Sequence, residues 1–330
     1  MIRLTPAPRP AERGAPMKIA FTSCMNFKPG PDGYQRVWNR IAQEQPDYLF
    51  LLGDQIYMDF FPRLGEPSGW DAAKFADVMQ GKYEAQWSVP NFKALRDALR
   101  QKQGNGGGVY GTWDDHDFAW NNAQGSDVSA PVKQQTRRLF TQYMQIEQLK
   151  NPAHLDPAVD GIYYSIPLMH QQQRIGKAIF LDTRWYSTAP GDSKPLLGQK
   201  QLDYLKQELA DEQGYVLICA GMPIRATGNG WMRYRDDYAR FRAIIQGRKS
   251  IFLTGDIHEN AFLPPAGETK MFEVVSSGAF VTKYYLTGER ENFGILEYTP
   301  GSTDIKLFDK RGLEMHNVID NATFMHQEIR

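Results

Sequence analysis

Cysteine is nearly missing from this sequence: Cys24 and Cys219 are the only two in 330 residues, each inside or at the end of an apolar run, so a disulfide scaffold is excluded. A surplus of either charge is missing too. Lys plus Arg and Asp plus Glu number 38 each, which leaves no basic field for the phosphate attraction that duplex nucleic-acid binders use. No apolar run approaches the roughly 18 residues a membrane-spanning helix needs. The opening MIRLTPAPRPAERGAP lacks the apolar centre of a secretory signal, so the expected location is cytoplasmic, or exported if a signal has been removed. A dinucleotide-binding loop is also wanting. The glycine patch Gly104 to Gly108 precedes a strand, whereas such a loop must follow one and open a helix.

What is present suits a globular enzyme, with 42% apolar and 23% charged residues. Residues 1–16 carry four prolines and no hydrophobic period, so they read as a flexible arm before a single catalytic domain over 17–330. Short apolar runs then recur: KIAFTSC from Lys18, DYLFLLGD from Asp47, VYGTWDD from Val109, KAIFLDTR from Lys177, YVLICAG from Tyr215, SIFLTGD from Ser250 and FEVVSS from Phe272. Their length and β-branched or aromatic content predict buried strands. Between them a helical period runs over Tyr34 to Gln45, Trp70 to Gln103 with a break near Pro90, Lys133 to Leu149, Gly198 to Glu212 and Asp236 to Gln246. The alternation predicts an α/β fold with a partly parallel sheet. Phe293 to Tyr298 and Thr303 to Phe308 flank Pro300-Gly301-Ser302 and predict a hairpin at an antiparallel edge.

Run after run ends on a residue able to bind metal or phosphate: Cys24, Asp54, then Asp114, Asp115 and His116, then Asp182 and Arg184, then Asp256 and His258. In open α/β sheets ligands bind outside the carboxyl ends of strands, so these groups are expected to converge. Any one Asp there reads equally well as a helix cap. Several carboxylates gathered without a cation oppose each other's ionisation, and burial adds to the cost. In Gly53-Asp54-Gln55-Ile56-Tyr57 the glycine allows a tight turn, Asp54 has two oxygens to bridge two metals, and Tyr57 falls one helical turn onward. By spacing alone Tyr57 reads first as an ordinary half-buried tyrosine. Asp256 and His258 share a side if the backbone stays extended. Asp114, Asp115 and Asp117 crowd around His116, and Asn121 and Asn122 offer neutral oxygens that hard cations accept. Cys24 reads either as a small buried hydrophobe or as a thiolate ligand, and Cys219, inside VLICAG, as core.

With these segments in view, the sequence resembles the alkaline phosphatase D (PhoD-like) family of calcineurin-like metallophosphoesterases. Phe21-Thr22-Ser23-Cys24, Gly53-Asp54-Gln55-Ile56-Tyr57, Thr112 to Asp117 with Asn121-Asn122, Leu181 to Arg184 and Thr254 to His258 occur in the family's order. The resemblance implies a four-layer αββα sandwich with mixed sheets and a binuclear centre of ferric iron and calcium. It implies Cys24, Asp54, Tyr57 and His258 on iron. Asp54 would bridge to calcium, which Asp256 and Asn121 or Asn122 complete, and Asp115 is a further ligand or orienting acid. The wider group's Asp-x-His at the first strand and its histidine before a proline are replaced here by Ser23-Cys24 and Gly221-Met222-Pro223. The exported members' twin-arginine signal and extra β domain are not seen in this sequence.

The expected activity is hydrolysis of small phosphate esters, as phosphomonoesterase or phosphodiesterase, by a water that the metals activate. His116 would protonate or orient the leaving oxygen, and Arg184 would either grip a phosphate oxygen or pair with Asp182 or a neighbouring acid. The rival readings are a hydrolase of nucleotides or phospholipid head groups using other metals such as zinc or manganese, and a non-catalytic module that binds a phosphorylated ligand. The aromatics Phe60, Phe61, Trp70, Tyr83 and Trp87 either roof the site or, the commoner fate of such residues, pack onto the sheet.

Overall fold

The apolar runs become the parallel cores of two facing sheets. The computed structural model describes residues 15–27, 35–59, 66–150, 152–227, 230–281 and 290–330. In it β1 (Met17–Thr22), β2 (Tyr48–Leu52) and β3 (Gly108–Thr112) run parallel. The first sheet continues antiparallel from the other side of β1 through β10 (Phe293–Tyr298), β11 (Ser302–Asp309), β12 (Gly312–Asp320) and β13 (His326–Glu328). The second sheet has the order β4 (Tyr164–His170), β5 (Gln173–Phe180), β6 (Tyr215–Cys219), β7 (Lys249–Thr254), β9 (Lys270–Ser276) and β8 (Asn260–Leu263). Its four central strands are parallel, and β4 and β8 close it as antiparallel edges.

Side chains on a strand alternate between faces, and this alternation sorts the second sheet into two cores. Ala178, Phe180, Leu217, Cys219, Ile251 and Leu253 face the first sheet, where Phe180 meets Phe50 edge-on at 5.0 Å. Ile179, Val216, Ile218 and Phe252 face outward, onto Leu202, Leu205 and Leu209 of α7 (Gly198–Ala210) and Phe241 and Ile245 of α8 (Arg235–Ile245). The first sheet is covered by α1 (Val37–Gln43), α3 (Pro90–Arg100) and α5 (Ala130–Met144). Helix, sheet, sheet and helix give the four layers expected. Two short helices, α4 (Asp115–Phe118) and α6 (Glu147–Lys150), fill connections.

The long helical stretch divides at Pro90, which opens α3 where its missing N–H is not needed. The preceding α2 (Ala72–Trp87) starts at Asp71, whose side chain accepts from the Lys74 amide, and lies on α5. Tyr83 stacks on Tyr143 at 4.7 Å, and Trp87 meets both rings, so these aromatics pack against a helix, with the first sheet beneath. Phe60, Phe61 and most of the N-terminal arm, residues 1–14, lie outside the described residues. Four strands escaped the sequence reading: β4, β8, β12 and β13. Their burial is mixed or low, so no continuous apolar run announces them. No helix among the described residues is long and apolar enough to cross a membrane.

Candidate metal centre

Four strands deliver a chemically able side chain at the same offset. Cys24, Asp54, Asp114 and Asp256 each lie two residues beyond the ends of β1, β2, β3 and β7. The loops interlock: the Cys24 amide donates to Gly53 O at 3.2 Å and the Met25 amide to Asp54 O at 2.9 Å. Gly53 has φ 91°, and a Cβ there would stand 2.5 Å from Asp114 Cβ. Gly221 is under a similar constraint: its Cβ would stand 2.6 Å from Asp114 Cβ. A side chain at 221 and the Asp114 carboxylate cannot share that space.

Cys24, Asp54, Asp256 and His258 all adopt left-handed backbone, with φ of 59°, 54°, 71° and 56°. Each costs about 1–3 kcal/mol for a residue with a Cβ and persists only where the surroundings enforce it. This departs from the sequence reading in two places. Asp256 and His258 are not extended, and the loop carrying Tyr57 is not helical. Tyr57 nevertheless reaches inward, its hydroxyl 3.4 Å from Asp54 Oδ2 and 3.1 Å from His258 Nε2.

Three overlapping groups of donor atoms, each within 4.8 Å of one another, form a chain: Cys24, Asp54 and His258; Asp54, Asp115 and His116; Asp114, Asp115 and Asp256. Asp54 joins the first pair of groups and Asp115 the second. At the first end, Cys24 Sγ lies 3.3 Å from Asp54 Oδ2 and receives hydroxyls from Ser277 at 3.2 Å and Ser23 at 3.4 Å. In the middle, the His116 amide donates to Asp54 Oδ1 at 3.3 Å, and its ring lies tilted against Tyr57 with centroids 4.2 Å apart. His116 Nδ1 sits 2.6 Å from Asp59 Oδ1, a partner the sequence reading missed, although Asp59 stands only two residues past Tyr57. At the far end Asp114 keeps one oxygen, Oδ2, buried without a partner.

The electrostatics show how strongly the acids of this assembly resist ionising together. Burial, then Asp115, raises the Asp54 carboxyl well above the ordinary carboxylate range. Burial with Asp114 and Asp115 lifts Asp256 to about 8, and burial lifts Asp114 to about 6 against the pull of Arg184. Burial also pushes up the Cys24 thiol and the Tyr57 phenol. Asp115 alone of these acids is lowered, because Arg184 and His116 outweigh its burial. His116 rises to about 10 as Asp115, Asp54 and Asp59 overcome the desolvation of its ring. A bound cation is the ordinary remedy for such acids, since it favours every ionised form at once.

The remaining candidates fall into supporting places. Arg184 is buried, donates through Nε to Asp114 Oδ1 at 2.6 Å and holds an Nη 3.7 Å from Asp115, the ion-pair alternative read from the sequence. Its companion Asp182 accepts from Trp113 Nε1 and from the amides of Ile162, Arg184 and Trp185, and so ties loops together away from the donor groups. Asp117 does similar work, accepting from the amides of Gln55 at 3.0 Å and Asp114 at 2.6 Å. Asn121 and Asn122 are exposed; their backbone amides donate to Asp59 and Asp115. Cys219 is buried in the core, as expected.

A sequence model of the PhoD-like phosphatase family matches residues 19–276, which includes every donor residue of this cluster. The chain belongs to the PhoD-like phosphatase family. As a member it is a phosphoric ester hydrolase, and the acid, thiol and imidazole groups gathered here are those of a metal-dependent one. The PhoD-like fold is supported by similarity to a solved structure of PhoD, with TM-score 0.67 and 16% identity, covering 98% of this chain and 73% of that one. A dimetal phosphatase from Danio rerio is similar at TM-score 0.53 and 11% identity, over 89% of this chain and 96% of that one. No curated protein matches the chain.

Proposed function

We propose that the cluster holds two unlike metals and hydrolyses small phosphate monoesters or diesters. The observation that carries this reading is the double membership of Asp54, whose carboxylate belongs both to the Cys24–His258 group and to the Asp115–His116 group. A carboxylate so placed can give one oxygen to each of two cations. Thiolate, phenolate and imidazole at the Cys24, Tyr57 and His258 end suit a transition metal, for which ferric iron is our assignment. The oxygen-only end, Asp115 and Asp256 with Asp114, suits a hard cation, for which calcium is our assignment. Asn121 or Asn122 would complete that end.

Two bound cations would supply Lewis acidity, neutralising the ester's oxygens and making a water acidic enough to attack phosphorus in line. The chain's own residues do the rest. His116, its Nδ1 fixed on Asp59, is held with the other ring nitrogen available to give a proton to the leaving oxygen. Arg184 positions Asp114 and Asp115 and balances part of their charge. Ser23 and Ser277 donate to the Cys24 sulfur, which favours its thiolate form.

The test is elemental analysis of protein purified without added metal, read beside its visible spectrum and its turnover of nitrophenyl mono- and diesters. Iron and calcium in equal amounts with a visible charge-transfer band are expected. Active, colourless protein loaded with zinc or manganese would reject the metal assignment and leave the hydrolase intact.

A further inference from the structure

The turn between β11 and β12 lies at the same end of the first sheet as Cys24, because β1 pairs antiparallel with β10 and β10 with β11. Beside it is a cavity of about 300 Å³ lined by Arg290, Asn292, Asp309, Lys310 and Arg311. Three of the five are cations, and the one acid, Asp309, is paired with Arg311 at 2.8 Å. The nearby Glu291 is taken by Arg36 at 3.0 Å and Arg40 at 3.4 Å. Among the described residues no carboxylate pairs with Arg290 or Lys310. Two polar atoms of the cavity's residues, Arg290 Nε and Asn292 Oδ1, are buried without a partner. A buried donor on a cation and a buried acceptor left unmade are costly unless something meets them.

The cavity adjoins the metal centre through single contacts. Asn292 Nδ2 donates to Ser277 O at 2.8 Å, and the Ser277 hydroxyl donates to Cys24 Sγ and accepts from the His258 amide at 2.9 Å. The Arg290 amide donates to Val281 O at 2.8 Å, and Val281 packs with Cys24 and Tyr57. We propose that Arg290, Lys310 and Arg311 form an anion subsite that takes a second negatively charged group of the substrate while its ester phosphate is at the centre. This rests on the hydrolase reading above. A phosphoryl group fits best: its oxygens match the planar guanidinium fork, and Asn292 Oδ1 can accept from a hydroxyl next to it. The substrate class is therefore an ester of an alcohol that carries another phosphate.

Two nitrophenyl diesters separate the possibilities: one whose second alcohol ends in a phosphate, and its twin ending in a hydroxyl. With the metal-loaded full chain, kcat/KM for the phosphate-ended diester is expected about tenfold above its twin, the worth of one good charge-assisted contact. In Arg290→Ala, and in Lys310→Ala/Arg311→Ala, which alters only the exposed turn, that ratio should fall towards one. Equal values in the unaltered enzyme, or a ratio that both variants leave intact, overturn the subsite. Calorimetry with inorganic phosphate on the same metal-loaded chain is expected to resolve two sites, one lost in Arg290→Ala and the other in Asp54→Asn. A phosphate titration that neither Arg290→Ala nor the double variant changes sinks the subsite even if no diester reacts. Absent turnover with an Arg290-dependent phosphate site supports the subsite and counts against the metal-centre reading alone.

Discussion

The two ends of the donor chain share Asp54 and Asp115 as links yet differ in kind. At one end a thiol, a phenol and an imidazole meet a single carboxylate; at the other, three carboxylates meet beside a guanidinium. Each end sets one half-buried donor, His258 or Asp256, beside buried ones, so the difference is in donor chemistry and not in access to water. The first end can satisfy a cation that accepts soft, polarisable donors, and the second can satisfy one that prefers many oxygens. One fold edge thus offers two chemically different donor groups, joined through Asp54 and Asp115.

The largest expected effect comes from removing what the ends share. Asp54→Asn should lose both metals by elemental analysis and lower kcat/KM by roughly a thousandfold or more, the scale of several kcal/mol of metal-supplied stabilisation. Normal loading of either metal would break the shared-ligand argument. Changes at one end should be partial and opposite in what they spare. Cys24→Ala should lose the visible band and the transition metal while keeping the hard cation, and Asp256→Asn should do the reverse, each at a cost on the order of a hundredfold in rate. If both variants lose the same metal, the two ends are one site.

After chelation, pH should act through the oxygen-rich end. Asp256 and Asp117 are raised from 3.8 to about 8, so in the range between those values the unfolded chain has released protons that the folded chain keeps. The folded state is then favoured at low pH, and stability falls as pH rises towards 8. His116, raised from 6.5 to about 10, acts in the same direction above neutrality. The thermal midpoint of metal-free protein should therefore be higher at pH 5 than at pH 8, and reloading metal should remove or reverse the slope. A flat profile without metal would mean these acids are not as starved of a counter-charge as their burial implies. The smallest effect belongs to the other cysteine. Cys219→Ala should leave metal content and spectrum unchanged and cost about 1 kcal/mol in denaturant unfolding, as trimming a core side chain does.

Much of this was legible in the sequence, for a physical reason. Strands buried on both faces must be apolar throughout, and the residue that ends such a run must leave the core, so DYLFLLGD and SIFLTGD announced both a strand and a site. The strands that went unread, β12 above all, have one face near water and carry Glu314, His316 and Asn317 among their apolar residues. At the centre, Asp54, Asp115 and Cys24 could be singled out, but Asp59 could not, because its meaning depends on where a loop closes around His116. Asp114 reads in the sequence as a strand-end acid, and its place beside Asp115 and Asp256, with its orphaned oxygen, marks it as part of the donor set. Left-handed backbone at Cys24, Asp54, Asp256 and His258 left no trace in the sequence, since no glycine stands at those positions.

That backbone has an evolutionary consequence. At each of the four positions glycine would relax the chain, so the same replacement that destroys the chemistry would remove a local burden on the fold. A lineage selected for heat resistance alone would find these sites attractive to change, and keeping all four occupied by side chains would require continued selection for the reaction itself.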